Sequence, residues 1–300
     1  MQFQKAQRKK AKLRLGITGP SGAGKTWGAL KVAKGLGGSI AVIDTERGSA
    51  SLYTHLTDFD VLELNPPYTP ERFIEALRAA EAARYETIIV DSITHEWSGV
   101  GGCLELVDQI AAAKFRGNSW SAWNEITPRH RALLDAILRS PSHIIVTMRS
   151  KTETAQTEEN GRKKVVKLGM KAEQRDGFEY EMTTVLDLTH EQHYALASKD
   201  RTGLFGGDPK PLSEATGAML RDWLESGAEP MPSAFDMAAS FLRSAKSGDE
   251  YKETWGKNKD GWREVLSADE WRALVGVMHE EAQRWAPKAP TPGFEEGASA

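Results

Sequence analysis

The sequence predicts an α/β protein with a mostly parallel central sheet, followed by a small helical C-terminal unit. Over the first two thirds of the chain, short apolar runs typical of strands alternate with amphipathic helical segments. Residues 234–286 instead show helical spacing throughout. Between the two parts lies the segment AEPMPS at 228–233, a predicted linker because its two prolines interrupt both helix and sheet.

The predicted core covers residues 13–227 and is preceded by a basic, solvated arm at residues 1–12. Helices are predicted to begin near 70 and 128, because Thr69 and Thr127 are N-cap residues that each precede a proline. The first of these helices extends to 85, and another runs from near Ser213 to Gly227. The predicted strands are 13–17, 39–46, 59–64, 87–92, 143–148, 179–188 and 193–198.

Two further patterns complete the prediction. The Asn160-Gly161 pair is typical of a tight hairpin turn. Ser267 and Glu270 fit a capping box that opens the last helix. The final residues, 287–300, are rich in proline, glycine and alanine and are predicted to be disordered.

Charge, cysteine content and hydropathy argue against three classes: proteins with a global basic excess, disulfide-stabilised proteins and membrane-spanning proteins. With a formal net charge of -3 the chain has no global basic excess, so any site for a polyanion must be local. The single cysteine, Cys103, cannot form an internal disulfide, which fits a reducing cytoplasm. No apolar run approaches the roughly 20 residues of a membrane span, and the N-terminus is polar and basic. We therefore expect a cytoplasmic protein with no membrane partner.

A phosphate-binding motif follows the first strand and precedes a helical stretch, which is the context that G-x-x-x-x-G-K-[ST] requires. Its glycines let backbone N–H groups face a phosphate chain, and Lys25 supplies a charge to the β and γ oxygens. Thr26 offers a hydroxyl to Mg²⁺. The residues of this phosphate loop are Gly19, Pro20, Ser21, Gly22, Ala23, Gly24, Lys25 and Thr26.

Carboxylates at predicted strand ends supply the other functions that phosphoryl transfer needs. Asp91 ends the apolar strand 87–92 and can support Mg²⁺ through its water shell. Hydrolysis also needs a carboxylate that orients and deprotonates a water molecule. Asp44 and Glu46 lie at the end of strand 39–46, and Glu96 is a second candidate for the base.

These motifs, GPSGAGKT, IDTER, IIVDS and ASKDRTGLF, resemble the RecA family of P-loop NTPases, and more narrowly the phage-encoded RecA-like ATPases associated with single-strand annealing recombination. The resemblance runs from about residue 13 to 226. It implies ATP and Mg²⁺ as ligands, Glu46 as the water-activating residue and Asp91 as metal support. It also implies a homo-oligomer, in which Lys199 and Arg201 reach the γ-phosphate of a neighbouring subunit.

The resemblance places single-stranded DNA at two inserts that follow strands, residues 113–124 and the hairpin 151–175. The first mixes basic residues with Trp120 and Trp123, and the second is rich in lysine. One departure stands out: the strand at 143–148 continues into Arg149, where the family has a polar amide that senses the γ-phosphate.

The sequence is therefore predicted to encode an ATP-hydrolysing, RecA-like protein of phage-type DNA recombination, located in the bacterial host if phage-encoded, with turnover that DNA stimulates. An ATP-dependent switch or partner-binding module without DNA is the first alternative. A nucleotide or small-molecule kinase is the second.

Overall fold

The fold is taken from a computed structural model that describes residues 5–159, 162–228 and 233–285, with the backbone alone for 152–159 and 162–169. The chain divides into two compact units, Met1–Ala228 and Glu229–Ala300. The predicted linker lies mostly outside the described residues, as does the predicted disordered tail.

The first unit is built on one sheet of nine strands. The strands are β1 (Arg14–Gly19), β2 (Ile40–Asp44), β3 (Asp60–Glu63), β4 (Thr87–Asp91), β5 (His143–Glu159), β6 (Arg162–Ala172), β7 (Thr184–Leu188), β8 (Tyr194–Asp200) and β9 (Lys210–Pro211). They lie in the order β3-β2-β4-β5-β1-β7-β8-β9, with β6 paired to β5, and every pairing from β3 across to β7 is parallel. The mixed α/β architecture with a mostly parallel central sheet is therefore confirmed.

Helices cover both faces of this sheet, because successive side chains of a strand point to opposite sides. Ile88 and Val90 of β4 belong to one core cluster, whereas Ile89 between them belongs to the other. The helices of the first unit are α1 (Lys25–Leu36), α2 (Pro70–Ala82), α3 (Thr94–Ser98), α4 (Cys103–Lys114), α5 (Ser119–Arg139), α6 (Phe178–Glu181) and α7 (Glu214–Glu225), with a 3-10 turn at Ala50–Tyr53.

The predicted helix start near 128 is wrong, because Pro128 lies inside α5. The helix is capped instead by Asn118, whose side chain accepts a hydrogen bond from the Ser121 backbone N–H at 3.3 Å. Pro128 removes one backbone hydrogen bond from the helix. Burial of one face of α5, at Ala122, Ile126, His130, Leu133 and Ile137, outweighs that loss.

The predicted strand 179–188 is also partly wrong. Its first residues form the short helix α6, and β7 begins only at Thr184. The chain enters α6 through Gly177, whose φ of 93° is in the left-handed region that glycine adopts without strain. The alternation that indicated a strand therefore holds only beyond residue 183.

The segment beyond residue 149 forms a two-stranded antiparallel ribbon. Up to Arg149, β5 pairs with β1, and from Ser150 to Glu159 it pairs with β6. The predicted turn at 160–161 lies outside the described residues, although Glu159 and Arg162 are paired on either side of it.

The described part of the basic arm, residues 5–12, is exposed but is not freely solvated. Ala228 donates its N–H to the Arg8 carbonyl at 2.8 Å, and the Lys10 N–H donates to the Ala228 carbonyl at 2.9 Å. The Arg8 guanidinium also lies over the Trp223 ring, 4.8 Å from its centroid. The two ends of the first unit are thereby tied together.

The second unit contains the helices α8 (Ala234–Arg243), α9 (Gly248–Val265) and α10 (Ala268–Arg284). The capping box of Ser267 and Glu270 is present at the start of α10. A cluster of Leu242, Tyr251 and Leu274, with Trp255, Trp262 and Trp271 against it, forms the core of this unit. Within the described parts of both units, no helix is long and apolar enough to cross a membrane.

Candidate functional site

The phosphate loop connects β1 to α1. Gly22 and Gly24 have φ values of 78° and 84°, a conformation that other residues rarely adopt. This curl directs the loop and the N-terminus of α1 toward one space, the arrangement that binds phosphate. Lys25 lies over the loop, donating to the carbonyls of Gly19 at 3.0 Å and Pro20 at 2.9 Å. Burial lowers the pKa of Lys25 below its ordinary value.

A hydroxyl and a carboxylate meet beside the loop. Thr26 donates its Oγ1 hydroxyl to Asp91 Oδ2 at 2.6 Å, and Thr147 donates to the other carboxylate oxygen. Asp91 is 2% exposed, and this burial raises the pKa of its carboxyl group. Oxygen donors of this type fit Mg²⁺, so Thr26 and Asp91 are the residues that would hold it.

The two carboxylates at the end of β2 have different surroundings. Asp44 is buried and accepts from the backbone N–H groups of Glu46 at 2.6 Å and Ala50 at 3.1 Å. Asp44 therefore shapes the loop that follows β2. Glu46 instead lines a cavity of about 480 Å³ together with Lys25, Thr26 and Asp91.

Sequence reasoning noted Arg149 only as a departure from the family pattern and gave it no role in the site. Its Nε and Nη2 both donate to Glu46 Oε1, at 3.1 and 2.8 Å, and it lines the same cavity. Since β4 lies between β2 and β5, the pair of Glu46 and Arg149 spans the end of β4. The signal in the sequence was a cation at the carboxyl end of a strand, in the place of the polar amide.

Glu96, the second candidate for the base, does not line this cavity. It is fully buried in α3, where Oε1 contacts Cys103 and His130 and Oε2 accepts from Gln174. A carboxylate enclosed in this way is badly placed to deprotonate a water at the phosphate loop.

A second cavity, of about 470 Å³, adjoins the first and shares Gly22, Gly24, Trp27 and Tyr53 with it. Trp27 and Tyr53 meet edge to face, with ring centroids 6.0 Å apart. The turn between β7 and β8 contributes His193 to the wall. The site thus offers a polar half at the loop and an aromatic half beside it.

Lys199 lies near the end of β8 and Arg201 directly follows that strand, and neither residue lines the cavity around Lys25. Lys199 Nζ donates to the Glu179 carbonyl at 2.9 Å, and Arg201 Nη2 donates to the Tyr180 carbonyl at 2.8 Å. Both cations therefore hold α6 within their own chain.

The prediction that the insert at 113–124 follows a strand is wrong. It joins two helices, since α4 ends at Lys114 and α5 begins at Ser119. Trp123 stacks on Trp97 with centroids 5.5 Å apart, whereas Trp120 is 86% exposed. The predicted hairpin at 151–175 corresponds to the ribbon of β5 and β6.

The model of a protein family described as an AAA domain matches residues 11–210. No curated protein matches the chain. Among solved structures, the chain is similar to a prototypical ATPase from the type III secretion system of pathogenic bacteria, with 12% identity and a TM-score of 0.36. That match covers 90% of this chain and 81% of the solved one.

Proposed function

The chain belongs to the AAA domain family, and from that premise we propose that it is a magnesium-dependent ATPase. One observation carries the proposal: a single cavity brings together the loop lysine Lys25, the Thr26–Asp91 pair and the carboxylate of Glu46. These are the parts that phosphoryl transfer to water requires.

The loop and α1 would receive the phosphates through backbone N–H groups. Lys25, whose ammonium is bonded to carbonyls of its own loop, lines the cavity and would exchange those carbonyls for β and γ oxygens. Thr26 and Asp91 would hold Mg²⁺, which when bound neutralises charge that develops on the phosphates.

Glu46 would orient and deprotonate the attacking water. Arg149 positions this carboxylate through two hydrogen bonds to Oε1, so Oε2 is the oxygen that we assign to the water. The guanidinium also places a positive charge at the cavity wall, where it would stabilise charge on the transferred phosphoryl group.

The direct test is phosphate release from ATP by the purified full chain, with and without Mg²⁺. Lys25→Ala should abolish it, and Lys34→Ala on the exposed side of the same helix serves as the control. Equal turnover by the wild type and a folded Lys25→Ala protein would refute the ATPase proposal.

We further propose that the ribbon of β5 and β6 binds single-stranded DNA and that the protein acts in DNA recombination, as the resemblance implies. Two observations support this. The strand that carries Arg149 at the nucleotide cavity runs on into the ribbon. The sequence of the ribbon includes Arg162, Lys163 and Lys164. Contacts of lysine and arginine with phosphates would make binding salt-dependent.

The test measures ATP turnover with and without single-stranded DNA, using the wild type and a variant with Lys163 and Lys164 changed to Ala. Stimulation that the variant loses supports DNA as partner. Turnover that DNA leaves unchanged, with no DNA binding at low salt, favours an ATP-dependent switch or partner-binding module instead.

For Lys199 and Arg201 we propose a role across the boundary of a homo-oligomer. They would leave the carbonyls of α6 to reach the γ-phosphate of a neighbouring subunit. A double variant with both changed to Ala and a Lys25→Ala protein, each inactive alone, should then recover activity on mixing. Absence of rescue, with turnover strictly proportional to protein concentration, would leave both residues with only their contacts to α6.

A further inference from the structure

A second group of reactive side chains lies outside the nucleotide cavity. Glu96 comes from α3, Cys103 is the first residue of α4 and His130 lies in the middle of α5. Glu96 and Cys103 are fully buried, and His130 is 4% exposed. Three helices thus direct a carboxylate, a thiol and an imidazole to one point in the interior.

The potential ligand atoms are close together. Cys103 Sγ and His130 Nδ1 each lie 3.0 Å from Glu96 Oε1, and the three groups offer ligand atoms that all lie within 4.8 Å of one another. Bonds of 2.0–2.3 Å in a tetrahedral zinc site separate such atoms by roughly 3.3–3.6 Å. The two contacts to Glu96 would lengthen by about half an ångström, and Cys103 and His130, no more than 4.8 Å apart, would approach each other by up to about 1.5 Å, to accommodate a cation.

The surroundings hold the ligands in place. Gln174 donates its Nε2 to Glu96 Oε2 at 3.3 Å, which orients the carboxylate from its far side. The Trp97 ring meets the His130 imidazole at a steep angle, with centroids 6.0 Å apart. Val107 and Ile126 belong to the same buried cluster as Cys103.

We propose that Glu96, Cys103 and His130 bind one zinc-type divalent cation. Thiolate and imidazole donors favour Zn²⁺ or Co²⁺ over Mg²⁺, so this site is distinct in chemistry from Thr26 and Asp91. On binding, the thiol proton and any proton on His130 leave for solvent, and solvent supplies the fourth ligand. Thiolate and carboxylate then cancel the +2 charge, which suits a buried site.

A bound metal deprotonates a coordinating thiol outright. Here it would join α3, α4 and α5, because each of these helices supplies one ligand.

Cobalt binding tests the proposal, because Cys103 is the only cysteine in the 300 residues and any thiolate signal must come from it. Full-length protein refolded with one equivalent of Co²⁺ should show a thiolate-to-cobalt charge-transfer band that excess Mg²⁺ does not remove. Cys103→Ser should lose the band. Gln174→Leu should retain it with affinity roughly 10–100-fold weaker, the usual effect of losing an orienting partner.

Stability gives a second readout that does not depend on the variants. Refolding with Zn²⁺ should raise the thermal midpoint of the wild-type protein, and refolding with a chelator should reverse the rise. The proposal fails if folded wild-type protein binds Co²⁺ without a thiolate band, or if Zn²⁺ leaves the midpoint unchanged. Either result would identify the three side chains as a hydrogen-bonded core network, whatever the outcome for ATP hydrolysis.

Discussion

Replacing Glu46 by glutamine separates the proposed chemistry from binding and from folding. Glutamine keeps the shape of the side chain but cannot accept a proton from water. ATP binding should therefore persist, because the phosphate contacts assigned to Lys25 and the loop are unchanged. Hydrolysis should fall at least about 100-fold, since a positioned general base contributes about 10²–10⁴ in rate.

The structure predicts a large effect of Glu46→Gln on the rate of hydrolysis and a small effect on stability. The loss in rate corresponds to about 3–5 kcal/mol in the barrier. The Glu46–Arg149 pair is 30% and 46% exposed at its two side chains, so its loss should change the free energy of unfolding by no more than about 1 kcal/mol. A large loss of turnover with nearly unchanged stability is therefore expected.

The assay is single-turnover hydrolysis of ATP, run beside equilibrium nucleotide binding and thermal unfolding. Glu63→Gln is the matched control, because Glu63 is an exposed carboxylate at the end of the neighbouring strand. A Glu46→Gln protein that hydrolyses ATP within threefold of wild type would refute the assignment. The same loss in Glu96→Gln alone would show that the base had been chosen wrongly.

Two other predictions follow from the same structure. Lys25→Ala should weaken ATP binding as well as abolish turnover, measured by nucleotide titration of a protein whose circular dichroism matches wild type. His143 accepts the Leu13 N–H on Nδ1, and burial lowers its pKa from 6.5 to about 4. The unfolded chain then binds the extra proton between these values, so stability should fall by up to about 3 kcal/mol as pH drops through this window. His143→Asn retains an acceptor without the titration, and an equally steep pH dependence in that variant would contradict the assignment.

Much of the sheet could be predicted because its central strands are short apolar runs with charged or glycine ends. The strands β1, β2 and β4 lie within two residues of their predicted bounds. The start of α5 could not be predicted in this way. Proline is usually found in the first turn of a helix, so Pro128 indicated a helix start that the structure does not have. Its interior position depends on burial of Ile126 and Leu133, which only tertiary packing reveals.

The phosphate loop and Asp91 could be predicted as candidates because their chemistry is local in sequence. The partnership of Glu46 and Arg149 could not, because it joins residues 103 positions apart. It depends on the order of β2, β4 and β5 in the sheet, which the sequence does not encode locally. The sequence offered Glu96 as a second candidate for the base, and its burial, which arises from packing among three helices, could not be predicted.

Beyond Arg149, β5 runs on into the ribbon, with one register irregularity between Glu153 and Thr154, so a change in direction at the nucleotide cavity moves the far end of the ribbon most. Ten residues from Ser150 to Glu159, at about 3.3 Å each, give this part a length of up to about 30 Å. A rotation of about 10° at Arg149 would carry the backbone of Glu159 about 5 Å, given that reach. A small change in the direction of the chain at Arg149 would thus correspond, at the far end of the ribbon, to a displacement comparable to the spacing between strands.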